Sequence, residues 1–359
     1  MKAIFLFAVS LTLSVTAVSC KSPTAPAVDN TPPGKSNYVW SMDSVNYGSL
    51  PSTIQLQSIW GSSDSDVWGA GFTADVRDCL WHYNGVYWSR ATAGTPITQV
   101  GTGSREVGVV WGTGPADVWA IGGAILNNSQ GEAPFVLHYD GAQWTQVTGD
   151  AAKMPLGALD IYGPGSGDDF WVADQGQIVN YNDGNWSSYP LGDTMLVRGI
   201  TGTSGHIYAL AYDIASGGNY VGIYSLLNGR VQVVDHTTFY NGKFEVGNPW
   251  ITGGRIYTAW HDVWSAAITS NGGVDGSSWR EDLAIPSGYV DRAFYHDSKD
   301  VWLVGYPNLL YHYDGTSWEE ITITVNGNPA SLGEYSAAWT DGNQIFVCDK
   351  DNGIIYHGR

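Results

Sequence analysis

The sequence predicts an all-β fold, a seven-bladed β-propeller of four-stranded antiparallel blades. One observation is a two-part signature that occurs seven times, an Asp-Val-Trp-like segment followed by a turn of the Asp-Gly-x-x-Trp type. A second is its spacing of roughly 40 to 50 residues, which is the length of a propeller blade. A third is the composition, because 46 glycines and only 14% charged residues suit short strands and tight turns rather than helices. Together these features predict a single toroidal domain over residues 38–359.

Each repeat is predicted to supply four strands, called a to d in chain order. Strand a ends at an aromatic or branched anchor such as Trp60, and strand b carries the Asp-Val-Trp segment. Strand c precedes the Asp-Gly turn, and strand d starts at the following Trp. Alternating apolar and polar residues between Gly, Asp and Asn turns are typical of half-buried antiparallel strands. The predicted blades span residues 54–94, 105–149, 156–191, 195–239, 244–285, 290–324 and 331–359.

The two ends of the propeller sequence complement each other. The seventh unit stops at residues 354–359 and lacks a Trp-led strand d. Residues 38–42 have the sequence of a strand d with no unit in front of them. Because an open sheet edge invites aggregation, we expect this N-terminal strand to complete the C-terminal blade and close the ring.

Most of the 17 tryptophans recur at fixed places in strands a, b and d, which predicts packing between blades. Four histidines share one position of strand c. For them we predict packing or hydrogen bonding rather than catalysis: His82, His138, His312 and His357.

The repeat is similar to those of kelch-like propellers. It resembles more closely the DVWAVG…HYDGxxW repeats of secreted bacterial propeller proteins. Residues 117–122 with 138–144 carry this resemblance best, and the fourth and fifth units depart from it because His206 and Arg255 replace Asp. The resemblance implies a propeller fold and an extracytoplasmic location, whereas the ligands of such proteins diverge.

Residues 1–20 are predicted to be an export signal, with a basic start at Lys2 and an apolar run too short to span a bilayer. Residues 17–20 resemble the lipobox of bacterial lipoproteins, which would make Cys20 the lipidated residue. Residues 21–37 are rich in Pro, Ser and Thr and predict an extended tether. We therefore expect a domain held at the bacterial outer membrane by a lipid anchor alone, with a secreted or periplasmic protein as the alternatives.

The formal net charge of −18 argues against a nucleic-acid partner, because such binding needs Lys and Arg to neutralise phosphates. Most of the acidic residues are Asp in turns, where the side chain bonds nearby backbone amides. Two cysteines remain after Cys20. Cys79 and Cys348 are expected either to form a bridge that locks the ring or to be two separately buried thiols.

One candidate site lies on the face that carries the b-to-c and d-to-a connections, here called the b-to-c face. In propellers this face surrounds the mouth of the central channel. Aromatic side chains there can stack on sugar rings or contact apolar groups of a protein partner. The predicted rim residues are Phe72, Tyr212, Trp260, His261, Trp264 and Tyr306.

A second set of candidates is charged and belongs to strand a. Three glutamates fall five residues before a strand a anchor and are predicted at the channel mouth together with an arginine. An aspartate and a second arginine are predicted deeper in the channel. A solvated mouth is one interpretation, and binding of a polar ligand or of Ca²⁺ is the other. These residues are Glu106, Glu245, Glu334 and Arg292 at the mouth, and Asp160 and Arg198 below it.

No nucleophile elbow, zinc-binding His pair or phosphate loop is present in the sequence. The leading hypothesis is therefore a non-catalytic recognition propeller without a cofactor, which binds a glycan or a protein partner on the b-to-c face. One alternative is a glycan-active hydrolase or lyase that uses channel-mouth carboxylates such as Glu106 and Glu334. Another is a structural scaffold within a surface complex.

Overall fold

The computed structural model describes residues 34–45, 54–73, 79–91, 105–125, 132–203, 205–217, 219–227, 229–238 and 247–359. The predicted signal segment, Cys20 and most of the predicted tether lie outside these ranges. In the described ranges no helix is long and apolar enough to cross a membrane.

The first three blades follow the predicted order of strands a to d. Blade 1 comprises β2 (Ile54–Ser63), β3 (Asp66–Thr73), β4 (Leu80–Tyr83) and β5 (Trp88–Arg90). Blade 2 comprises β6 (Arg105–Gly114), β7 (Asp117–Ile125), β8 (Glu132–Tyr139) and β9 (Trp144–Gln146). Blade 3 comprises β10 (Asp160–Ser166), β11 (Asp169–Asp174), β12 (Gln177–Asn182) and β13 (Asn185–Pro190).

The next three blades repeat the arrangement. Blade 4 comprises β14 (Met195–Thr203), β15 (His206–Asp213), β16 (Val221–Leu227) and β17 (Arg230–Thr237). Blade 5 comprises β18 (Trp250–Thr252), β19 (Arg255–Ala259), β20 (Asp262–Ala267) and β21 (Arg280–Ala284). Blade 6 comprises β22 (Tyr289–Asp297), β23 (Asp300–Tyr306), β24 (Leu309–Tyr313) and β25 (Trp318–Glu320). A short hairpin that the sequence pattern did not predict follows, with strands β26 (Thr324–Val325) and β27 (Asn328–Pro329).

Blade 7 is assembled from both ends of the propeller sequence. It comprises β28 (Tyr335–Thr340), β29 (Ile345–Asp349), β30 (Ile354–Gly358) and β1 (Trp40–Ser44). Strand β1 pairs antiparallel with β30, from Trp40 opposite Gly358 to Ser44 opposite Ile354. The seven-bladed ring and its closure by the N-terminal strand are thus confirmed.

The core is divided among seven hydrophobic clusters, one at each interface between neighbouring blades. Trp68 and Trp144, for example, pack with Val107 between blades 1 and 2. Burial of these side chains is the main force that holds the blades together, since each sheet buries its two faces only against its neighbours.

The Asp-Val-Trp signature and the strand c histidine form one structural unit. In blade 6, Asp300 accepts hydrogen bonds from Trp302 Nε1 (2.7 Å) and lies 2.9 Å from His312 Nε2, and the Trp302 and His312 rings stack at 4.3 Å. Equivalent Asp–His contacts, 2.6 and 2.8 Å long, occur in blades 1 and 2. The predicted packing and hydrogen-bonding role of the histidines is confirmed.

Blade 5 departs from this unit in two positions that compensate for each other. Arg255 replaces the aspartate, and Ser265 replaces the histidine on strand c. Arg255 Nε donates to Ser265 Oγ (2.9 Å), and Arg255 Nη2 donates to the carbonyls of Ser265 and Ser278 (2.8 and 3.0 Å). The donor and acceptor have exchanged sides, so the cross-strand link is retained without the signature residues.

Aspartates in the c-to-d turns accept hydrogen bonds from backbone amides, as their position in turns predicted. Asp140 Oδ1 accepts hydrogen bonds from the amides of Ala142 and Gln143 (2.9 and 2.8 Å). Gly141, which follows Asp140, has φ 90°. These hydrogen bonds lower the pKa of Asp140. The left-handed glycine and the acceptor side chain explain why Asp-Gly recurs at this turn.

Cys79 and Cys348 are two separate buried thiols, so the bridge considered from the sequence is absent. They belong to different interfaces, between blades 1 and 2 and between blades 7 and 1. Burial raises the pKa of the Cys348 thiol, which keeps it protonated and unreactive.

Candidate functional site

Strand a, which lines the channel, contains a β-bulge in several blades. Five of these strands shift register by one residue at equivalent places, and an extra residue of this kind turns its side chain away from the regular alternation. The extra residues are Gln57, Gly108, Arg198, Asp291 and Ser336.

Arg198 of blade 4 and Asp291 of blade 6 form an ion pair. Because strand a is the innermost strand of each blade, this pair crosses the inner edge of blade 5. It joins two blades that are not neighbours in the ring.

Below this ion pair, towards the a-to-b turns, lies a cavity of about 360 Å³, here called the channel cavity. Strand a of every blade contributes to its wall. One level of the wall is polar and includes Ser58, Asp160, Asn248 and Arg292. The next level, two residues further along each strand, is mostly aromatic and includes Trp60, Trp111, Tyr162, Trp250, Phe294 and Trp339.

These anchors also pack one blade against the next. A Cβ built on Gly112 would lie 2.9 Å from the Trp60 ring, and one built on Gly163 would lie 2.0 Å from the Trp111 ring. The rings of Trp60 and Trp111 therefore cover the glycines that follow the anchors of blades 2 and 3. The predicted packing role of these tryptophans is confirmed, and the structure adds a second role, since Trp60 and Trp111 remain only half-buried and line the channel cavity.

Asp160 is held in the channel cavity by the amide of Ile200, which donates to its carboxylate (2.8 Å). Asp160 is half-buried and lines the channel cavity. This burial raises the pKa of Asp160 to about 6, against the opposing charge of Arg292.

Arg292 is 9% exposed, and burial lowers its pKa. The sequence placed Arg292 at the channel mouth, but the register puts it on the same level as Asp160, deeper in the channel. Arg292 lies two residues before the anchor Phe294, as Asp160 lies two residues before Tyr162, and the bulge at Asp291 turns the Arg292 side chain to the channel side of the strand.

The b-to-c face carries a stacked row of rings, here called the rim cluster: Trp260, Tyr289 and Tyr306. Trp260 and Tyr289 are stacked with ring centroids 4.7 Å apart and planes at 13°, and Tyr289 and Tyr306 follow at 5.8 Å and 28°. Tyr306 is 42% exposed, and the other two are half-buried. His261 is exposed beside Trp260, edge to face at 6.1 Å.

An ion pair borders the rim cluster. Lys350 Nζ donates to Glu334 Oε1 (2.8 Å). Burial and the neighbouring charge of Glu334 raise the pKa of Tyr289 to about 12. The cluster thus combines apolar rings with one cation and one anion at the channel mouth.

Sequence reasoning missed Tyr289, although a signal for it exists. Tyr289 pairs with Tyr306 across strands a and b, and it lies five residues before the anchor Phe294. That is the place of Glu106 and Glu334 in their blades. Examining the position five residues before the anchor in every blade, and not only in the blades where it is Glu, would have identified Tyr289.

A second cavity on the b-to-c face, of about 320 Å³, lies at blades 1 to 3. Phe72 and Glu106 line it, and Glu106 Oε1 accepts from Gln57 Nε2 (2.5 Å). Glu334 does not border this cavity. The structure therefore divides the predicted mouth residues between two places.

The remaining predicted rim residues lie apart from both places. Trp264 is in the middle of β20 and packs in the cluster between blades 4 and 5, and half-buried Tyr212 packs against the same cluster. Glu245 lies outside the described residues. In the described part of the chain, no three His, Cys, Asp or Glu side chains are grouped so that they could hold a metal ion.

No protein-family model matches the sequence, and neither does any curated protein. Solved propellers match the structure instead. YCF48 bound to D1 peptide matches with a TM-score of 0.61 at 17% identity, over 91% of this chain and 99% of that chain. YCF48 from Cyanidioschyzon merolae matches with a TM-score of 0.57 at 13% identity, over 89% and 98% of the two chains.

A bacterial structure matches as well. The extracellular domain of the putative one component system BT4673 from B. thetaiotaomicron has a TM-score of 0.58 at 14% identity, over 88% of this chain and 40% of that chain. These likenesses establish the propeller fold, and the set of similar structures includes an extracellular domain.

Proposed function

We propose that the chain is an extracytoplasmic recognition propeller that binds an extended peptide segment of a protein partner on the b-to-c face. The observation that carries this proposal is the rim cluster of Trp260, Tyr289 and Tyr306 beside the Lys350–Glu334 pair. Rings of this kind offer a large contact area and lose little conformational freedom on binding.

The size of the rim cluster fits a short stretch of chain. Its centroid spacings of 4.7 and 5.8 Å make an apolar strip. Such a strip is roughly 10 Å long, the length of about three residues of extended peptide. Lys350 and Glu334 add a donor and an acceptor at its border, which can bond the peptide backbone or a charged side chain.

The comparisons support a peptide as the ligand class, since one protein of the same fold was solved with a peptide bound. A glycan remains the ligand class that the experiment must distinguish from it. We also propose export, on the basis of the signal predicted at residues 1–20, and lipid attachment at Cys20. Mass spectrometry of the mature N-terminus should find a diacylated or triacylated cysteine there.

The arrangement does not favour the hydrolase hypothesis. Glu106 is bonded to Gln57 in the cavity at blades 1 to 3, whereas Glu334 is paired with Lys350 next to the rim cluster. Acid and base catalysis of glycoside cleavage requires two carboxyl groups facing one bond.

A binding screen tests the proposal. The mature protein is applied to a random peptide display library and to a glycan array, and Trp260→Ala and Tyr306→Ala are applied to the same supports. We expect enriched peptides, and at least about 30-fold weaker binding for each variant, the effect of removing an aromatic hot spot.

Tyr87→Ala is the matched control, because Tyr87 is 61% exposed in the c-to-d turn of blade 1, on the opposite face. It should bind like the wild type. Binding to glycans without binding to peptides would show that the ligand is a glycan. Undiminished binding by a folded Trp260→Ala protein would show that the rim cluster is not the site.

A further inference from the structure

The channel cavity contains a charged group that has no hydrogen-bonding partner among the described residues. Arg292 is 9% exposed, and its guanidinium makes no hydrogen bond or ion pair of 4 Å or less with any described residue. Arg198, in contrast, is paired with Asp291. A guanidinium has five N–H donors in a planar fork, and leaving them unsatisfied in a buried place is unfavourable. The free donors of Arg292 border the cavity and match the two oxygens of a carboxylate.

The charges around Arg292 favour a monoanion over a dianion. Arg292 interacts through space with Asp160 and Asp291, and it is repelled by Arg198. These interactions balance its charge without occupying its N–H groups. Two nearby carboxylates would repel a phosphate dianion more strongly than a ligand with one negative charge.

The rest of the wall suits a flat ring. Aromatic anchors surround the polar level, and Tyr295, 49% exposed, adds another ring to the lining. The volume of about 360 Å³ lies within the range of small-molecule sites. Stacking or edge contacts with the half-buried Trp60 and Trp111 would hold such a ring while Arg292 binds the charge.

We propose that the channel cavity is a binding site for a small organic monocarboxylate that carries a flat ring. The carboxylate accepts hydrogen bonds from Arg292, and the ring lies against Trp60, Trp111 and Tyr295. The site is separate from the rim cluster, since the Arg198–Asp291 ion pair lies on its b-to-c side.

A pair of probes tests the carboxylate requirement in the unaltered mature protein. Phenylacetate and its neutral isostere phenylacetamide are titrated while tryptophan fluorescence and heat are recorded. We expect one saturable site for the acid, with a Kd below about 1 mM, and binding of the amide at least about tenfold weaker. Equal binding of acid and amide would overturn the proposal.

Other probes define the class. Acetate, benzoate, indole-3-acetate and glucuronate separate the contributions of charge, aromatic ring and sugar ring, and inorganic phosphate tests the exclusion of a dianion. We expect the ring-bearing carboxylates to compete with one another and phosphate to leave them bound. Displacement by phosphate, or no saturable binding by any of the carboxylates, would refute the site.

Two variants locate the site. Arg292→Gln should abolish the difference between acid and amide, and Tyr295→Ala should weaken both probes by several fold. Tyr87→Ala on the outer turn of blade 1 is the control. A folded Arg292→Gln protein that binds phenylacetate like the wild type would contradict the proposal. If that variant does not fold, the acid-to-amide ratio and Tyr295→Ala decide, and the peptide screen reports on the rim cluster independently.

Discussion

At the scale of single residues, the recurring feature of the repeat is a buried hydrogen-bonding unit of Asp, Trp and His. In blade 6 it is almost fully enclosed, with Asp300 and His312 each 1% exposed. Blade 7 keeps only the histidine, and Gln344 takes the place of the aspartate, with its Oε1 2.6 Å from His357 Nε2. The His357 ring stacks on Phe346 at 3.9 Å.

His357 gives the fold a defined sensitivity to acid. Burial and the charge of Arg359 lower the pKa of His357 to about 4, compared with 6.5 for an ordinary histidine. Below pH 6.5 the unfolded chain takes up a proton at this position that the folded protein does not bind. The free energy of unfolding should therefore decrease as the pH falls from 6.5 to 4, by about 3 kcal/mol at most.

This decrease should be absent from His357→Gln, and urea unfolding at several pH values measures it. Comparison of the two proteins at each pH is essential, because Asp160 acts in the opposite direction. Its folded pKa of about 6 exceeds the usual 3.8, so its protonation between pH 6 and 4 favours the folded state. Parallel curves for wild type and variant would contradict the role of His357.

At the scale of the element, strand a both packs against the neighbouring blade and lines the channel. Its bulge turns Arg198 and Asp291 out of the regular alternation, and its anchor ring covers a glycine of the next blade. Gly163, which follows the anchor of blade 3, thus has its side-chain space occupied by the anchor ring of blade 2.

Gly163→Ala tests this packing. The added Cβ would lie 2.0 Å from the Trp111 ring, so the ring or the strand must shift. We expect a loss of about 1 to 3 kcal/mol in the free energy of unfolding, typical of overpacking, measured by chemical denaturation. Gly114→Ala in strand a of blade 2 is the matched control, because its Cβ meets no atom within 4 Å. An equal effect of both substitutions would show that backbone entropy, not contact with Trp111, is responsible.

At the scale of the whole molecule, closure of the ring depends on five residues from the start of the domain. Strand β1 covers the edge of β30 and contributes Trp40 to the cluster between blades 6 and 7. Without it, blade 7 would expose an unpaired strand edge, which promotes association with other chains.

Removal of residues 1–45 should therefore lower the thermal midpoint and cause aggregation, whereas removal of residues 1–33 should not. Differential scanning fluorimetry and light scattering measure the two effects. A monomeric 46–359 protein with the midpoint of the longer form would show that closure by β1 contributes nothing to stability.

The sequence by itself determined the number of blades, the order of their strands and the way the ring closes. These features depend on local alternation and on a repeat that each blade satisfies with its own residues, as Asp300, Trp302 and His312 do. It also indicated Trp260 and Tyr306 as residues of the b-to-c face, because their place in the repeat is set within one blade.

Only the tertiary structure decided which side chains meet around the channel. The stack of Trp260 on Tyr289 joins blades 5 and 6, and the Arg198–Asp291 pair joins residues 93 positions apart in the chain. Their meeting depends on the bulges and on the packing of seven strands around one axis. A one-residue bulge that local patterns do not reveal reverses the direction of the side chains that follow it, which is why Arg292 borders the channel cavity.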